Sequence, residues 1–113
     1  MGAVLAIVLA AAAVNGAPAR PGACGMIHGE MYLSNGMPDT RIRVGKRILG
    51  VVQNDLTFDQ LPPKILRVWG GKDGESFMGH TLRGDFRVCA VTRQRPGWMQ
   101  MVRVVGGRNL VRR

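Results

Sequence analysis

The chain has 113 residues, 46% apolar and 20% charged, with 16 Lys plus Arg against 7 Asp plus Glu and a formal charge of +9. That length holds one domain, and two cysteines are too few for a disulfide-dense toxin scaffold. The apolar content is too high for a disordered tail, and the glycines follow no collagen period.

The chain opens on a stretch without charge. Residues 1–19 carry no charged side chain, and Ala3 to Val14 form an unbroken apolar run of 12 residues. A spanning helix needs about 20 such residues, so the run is short for a stable membrane span. It suits the hydrophobic region of a secretory signal peptide, although no Lys or Arg follows Met1. Ala17-Pro18-Ala19 offers the small residues of a cleavage site after Ala19, and Val14 with Gly16 offers the same after Gly16. A lipoprotein reading fails, because Pro21-Gly22-Ala23 before Cys24 lacks the required Leu. The sequence therefore predicts a signal peptide over 1–19 and one secreted or periplasmic domain over 20–113.

Two cysteines in an exported chain most often pair, so Cys24 and Cys89 are expected to form a disulfide. A two-thiolate zinc site completed by His28 and His80 is arithmetically open, but no C-x-x-C or H-x-x-x-H spacing supports it.

Beyond the leader, short segments rich in Val, Ile, Met and Arg are separated by Gly, Pro, Asn and Asp, the punctuation of an all-β domain. Gly25 to Leu33 predicts a strand with Ile27, Met31 and Leu33 on one face. Ser34-Asn35-Gly36-Met37-Pro38-Asp39 predicts a turn. Thr40 to Val44 sets Arg41 and Arg43 outward against Ile42 and Val44, and Lys46 to Val52 resumes after a bend at Gly45. Gln53 to Pro63 reads as a loop, with a turn of helix around Asp55 to Gln60. Lys64 to Trp69 reads as a strand, and Gly70-Gly71-Lys72-Asp73-Gly74 as a hairpin tip. Glu75 to Leu82 reads as a weak edge strand. Gly84 to Val91 alternates Phe86, Val88 and Ala90 against Arg87, Cys89 and Val91. Arg93 to Gly97 turns the chain. Trp98 to Val105 places Trp98 with Val102 and Val104, and a Gly106-Gly107 turn leads to a closing strand over Asn109 to Val111. About seven strands at this spacing predict a two-sheet sandwich or a small barrel.

Two segments carry a resemblance. Gly29-Glu30-Met31-Tyr32-Leu33-Ser34-Asn35-Gly36-Met37-Pro38 is similar to the first strand and turn of transthyretin-like, carboxypeptidase-regulatory-type sandwich domains, and Gly84-Asp85-Phe86-Arg87-Val88 resembles a later strand of that group. The run from Thr40 to Val51, with Asp85 to Cys89 and Arg95-Pro96-Gly97, also resembles small exported bacterial proteins of unassigned function. These segments cover about a third of the mature chain. The resemblance implies a seven-stranded Greek-key sandwich, no catalysis, and no transferred site residue.

No catalytic constellation stands out. No hydroxyl lies in a Gly-x-Ser-x-Gly setting, and the carboxylates are scattered. His28 and His80 read as strand or surface residues. Asp55 with Asp59 lacks an EF-hand pattern. A thioether copper cluster of Met26, His28, Met99 and Met101 would require neighbouring strands. The expectation is no enzyme activity, no cofactor and no metal.

Charge is the strong signal. Arg outnumbers Lys 13 to 3, and guanidinium forks grip phosphate or carboxylate two-pronged. Three groups recur: Arg41, Arg43, Lys46 and Arg47; Arg83, Arg87, Arg93 and Arg95; Arg103, Arg108, Arg112 and Arg113. Of these, Arg41, Arg43, Lys46, Arg47, Arg87 and Arg103 are the expected anion-binding set. Solvated strand faces in an Arg-rich composition are the bland alternative. The partner class is an anionic envelope component or a protein. Export and the dispersed Tyr32, Trp69 and Trp98 argue against nucleic acid. A structural domain pairing through an exposed edge strand is a second reading, and a small metal-binding protein using His28 and His80 a third.

Overall fold

The computed structural model describes residues 17–52, 61–71 and 77–113. Residues 1–16, Asp55, Thr57, Asp59 and the Lys72-Asp73-Gly74 tip lie outside them. The elements in order are β1 (Cys24–Leu33), β2 (Thr40–Val44), β3 (Arg47–Val51), α1 (Pro63–Gly70), β4 (Leu82–Ala90) and β5 (Gln100–Arg112). The strands close in the order β1-β2-β3-β5-β4, with β3 and β5 parallel and every other pair antiparallel. A five-stranded Greek-key barrel with a helix between β3 and β4 has the architecture of the OB barrels. A fold shared by so many activities assigns none by itself.

Alternation builds the barrel. Ile27, Met31, Ile42, Leu49, Val51, Leu82, Phe86, Val88, Val102 and Val104 point inward and are buried, while Arg43, Arg83, Arg87 and Arg103 point out from the same strands and are exposed. Each such side chain taken from water stabilises the fold by about 1.5–3 kcal/mol.

The expected seven-stranded sandwich is corrected to this five-strand barrel, and three segments account for the difference. Lys64 to Trp69 is helical, because Pro63 starts a helix without losing a hydrogen bond and Ile65 and Trp69, four apart, fall on one buried face. The amides of Ile65 and Leu66 both donate to Pro62 O. The described part of the expected edge strand, residues 77–81, is turn, and pairing starts at Leu82. Gly106-Gly107 does not turn the chain. It continues β5, which keeps pairing with β4 through two register shifts, so the last two expected strands are one.

The β3·β5 contact covers only Gln100 to Val102 of β5, so beyond Val102 that strand pairs with β4 alone. Among the described residues no helix is long and apolar enough to cross a membrane.

Cys24 lies directly opposite Cys89 in the β1·β4 register, and the two form a disulfide linking positions 65 apart.

Candidate anion-binding surface

The six expected anion-binding residues fall on two arcs of the barrel. Arg41, Arg43, Lys46 and Arg47 belong to the β2–β3 hairpin, and Arg87 and Arg103 to the outer face of β4 and β5. The barrel order separates the arcs by β1 on one side and by the short β3·β5 pairing on the other.

On the first arc the guanidinium groups are largely engaged within the protein. Arg41 Nε donates to Pro38 O at 3.0 Å. Arg43 stacks 4.7 Å from the centre of the Tyr32 ring and lies 3.7 Å from Glu30. Arg47 Nη2 donates to Gln100 Oε1 at 3.3 Å. Lys46, at the hairpin tip, is exposed.

The second arc is different. Alternation aims Arg83 and Arg87 outward from β4, and across the ladder β5 adds Arg103 opposite Cys89 and Arg108 opposite Asp85. All four are exposed. Among the described residues Arg83, Arg87 and Arg103 make no side-chain hydrogen bond or ion pair. The carboxylate in their midst is already occupied. Asp85 accepts hydrogen bonds from Asn109 Nδ2 at 2.8 Å and pairs with His28 Nδ1 at 2.7 Å. The Asn109 amide first, then the His28 hydrogen bond, hold the Asp85 carboxyl below its ordinary value, opposed by partial desolvation and aided by the nearby charges of His28 and Arg108. Four arginines on adjacent strands thus surround an acid that is tied to its neighbours, leaving a positive strip.

This strip runs into the β4–β5 loop. Arg95-Pro96-Gly97-Trp98 is a tight turn closed by Trp98 N–H donating to Arg95 O at 3.2 Å. Proline at the second position and Gly97 at φ 78 are what a type II turn demands. The turn sets its first and last residues side by side, and the Arg95 guanidinium lies 4.6 Å from the centre of the Trp98 ring. Trp98 is 68% exposed, whereas the alternation of Trp98 to Val105 placed it with the buried Val102 and Val104. A cleft of about 490 Å³ lies on one side of the turn, lined by Ala19, Arg47, Gln94, Arg95 and Trp98. A second of about 540 Å³ lies on the other, lined by Thr92, Arg93, Arg95, Trp98, Met99 and Met101.

The base of this loop hangs on Gln100, which sequence reasoning missed. It is 2% exposed. Its Nε2 donates to Pro18 O and Thr92 O, and its Oε1 accepts from Arg47. A buried amide satisfied from three directions fixes the loop on the barrel wall. The one sequence signal available was a glutamine on the inward-pointing parity of β5.

The residues weighed for metal chemistry separate. The disulfide consumes both thiolates that a zinc site would need. His80 Nδ1 contacts Arg113 O at 3.1 Å, whereas His28 Nδ1 pairs with Asp85, so the two histidines have separate partners. Met26 and His28 lie on β1, divided by β4 from the strand that carries Met101. Among the described residues no three His, Cys, Asp or Glu side chains converge as a metal site.

No family model, no curated protein and no solved structure matches the chain.

Proposed function

We propose that the protein is an exported, non-enzymatic binding module that holds an anionic component of the cell envelope along the β4–β5 arginine strip. One observation carries this reading: Arg87 and Arg103 stand exposed and without a side-chain partner on adjacent strands, while Asp85 is held by Asn109 and His28, and Glu30, opposite Arg83, is engaged by Thr81 and Arg43. The barrel fixes the backbone from which these arginines project, and forked guanidinium groups favour phosphate and carboxylate. The Cys24–Cys89 disulfide suits an oxidising compartment, which supports a secreted or periplasmic site of action. The role proposed for this surface is attachment.

The test is cosedimentation of the purified protein with lipopolysaccharide, with anionic vesicles and with zwitterionic vesicles, at low and at high salt. The expected result is binding to an anionic partner that weakens steeply with salt and is lost in an Arg87→Glu/Arg103→Glu variant that melts at the wild-type temperature. Binding that ignores both salt and that variant overturns the reading.

A further inference from the structure

The Arg95–Trp98 turn adds to the strip a feature that charge alone does not require. A large apolar ring is held out in solvent at 68% exposure on a rigid Pro-Gly turn, with an arginine against one face and a cleft on either side. The loop base is fixed before any ligand arrives, through Gln100 to Pro18 O and Thr92 O, and through Gln94 N–H to Ala19 O at 3.3 Å. The ring's neighbours include Arg93, Arg95, Met99 and Met101 in one cleft and Arg47, Gln94 and Arg95 in the other. Along β5 the outward residues after the turn are Met101 and then Arg103, so the ring stands at one end of the strip. From Met101 to Arg108 the strip runs about 23 Å at the rise of a β-strand.

We propose that Trp98 is a sugar-stacking platform and that the ligand of the strip is an acidic polysaccharide. This inference rests on the reading given under Proposed function and names its ligand class. A sugar ring has a C–H face that gains by covering an indole and acidic substituents that an adjacent guanidinium fork grips, so ring and charge are recognised together. A chain of such units lays one ring on Trp98, places flanking units in the two clefts and runs its further acidic groups along Arg103, Arg87 and Arg108. A single-stranded nucleic acid calls for successive stacking platforms. The described residues hold one, since Trp69 is fully buried and Tyr32 lies under Arg43. A lipid surface calls for a broad apolar face around the ring, whereas Met99 and Met101 flank it in one cleft only, beside Arg93 and Arg95, and the other cleft brings Arg47, Gln94 and Arg95.

Fluorescence tests it directly, because buried Trp69 and exposed Trp98 emit at different wavelengths. Polygalacturonate, neutral dextran, oligo-dT and phosphatidylglycerol vesicles are titrated into wild type, Trp98→Ala, Trp98→Phe and Arg87→Glu/Arg103→Glu. Polygalacturonate is expected to blue-shift the exposed emission, and Trp98→Ala to weaken its binding about tenfold, with Trp98→Phe restoring most of the loss. Neutral dextran is expected to bind no variant. If Trp98→Ala binds polygalacturonate as wild type does while the double arginine variant does not, the strip stands and the stacking proposal falls. If neither variant loses affinity for any anion, the reading beneath it falls too. Tighter binding of oligo-dT or of vesicles than of polygalacturonate also overturns the proposal.

Discussion

Gln100 donates its side-chain amide to the carbonyl oxygen of Pro18 at 2.7 Å, across 82 positions of the chain. Ala17 packs against the core beside it. The segment that a signal peptidase would remove by cutting after Ala19 is therefore part of the barrel wall. On the export reading proposed above, a cut after Gly16 keeps it, and Ala17 is the expected first residue of the processed chain. Removing Pro18 also takes an acceptor from a buried amide, which costs about 1–2 kcal/mol. Chains starting at Ala17 and at Arg20 are expected to differ in thermal midpoint, the shorter melting lower. Mass spectrometry of the exported protein reads the terminus, and equal melting of the two chains refutes the coupling.

The Cys24–Cys89 bond ties the first residue of β1 to β4 across a 65-residue separation. In the chain-entropy description such a bond stabilises by about 4 kcal/mol. A Cys24→Ser/Cys89→Ser variant is expected to unfold at a much lower denaturant concentration, and wild type in reductant is expected to follow it. An unchanged midpoint under both conditions would show that the barrel stands without its staple.

Much of this was legible in the sequence where a single period applies. From Leu82 to Ala90 the buried residues fall strictly on alternate positions, so β4 and its outward Arg87 and Cys89 could be read directly. Lys64 to Trp69 could not, because six residues satisfy both a two-residue and a 3.6-residue period, and only the barrel end that Ile65 and Trp69 fill decides between them. Gly106-Gly107 misled for a tertiary reason. A Cβ on Gly107 would sit 3.3 Å from Ile65 Cδ1 and 3.2 Å from Leu110 Cδ2, so the glycine makes room for α1 and is no turn signal. The site divides in the same way. Arg87 and Arg103 were visible from charge, but that Arg41, Arg43 and Arg47 are engaged by Pro38, Tyr32 with Glu30, and Gln100 depends on contacts made across the fold.

Asp85 should give the barrel a defined acid sensitivity. Its folded-state value is depressed, chiefly by the Asn109 amide and then by His28. A depressed carboxyl contributes stability that is fully present above its unfolded value, about 3.9, and is lost as pH falls through the folded value. The stability difference between wild type and Asp85→Ala should therefore shrink as pH falls below about 4. Urea midpoints for both proteins across that range provide the check. A difference that grows with acidification would reverse the assignment.

The plug of α1 rests on one residue. Trp69 is fully buried, meets Phe77 edge to face at 5.2 Å and donates its indole N–H to His80 O at 3.1 Å. Its own carbonyl accepts from Arg112 Nε at 3.0 Å, which binds the helix to the last residue of β5. Trp69→Ala leaves a cavity and strands the His80 carbonyl, an expected loss of about 3–5 kcal/mol. Trp69→Phe keeps most of the volume and loses the indole donor, an expected loss of about 1–3 kcal/mol. Both variants leave the outer arginines of β4 and β5 in place, so the folded fraction of Trp69→Phe is expected to keep wild-type affinity for polyanions. Denaturation midpoints separate the two substitutions, and equal losses would show that the hydrogen bond to His80 O carries all of the residue's effect.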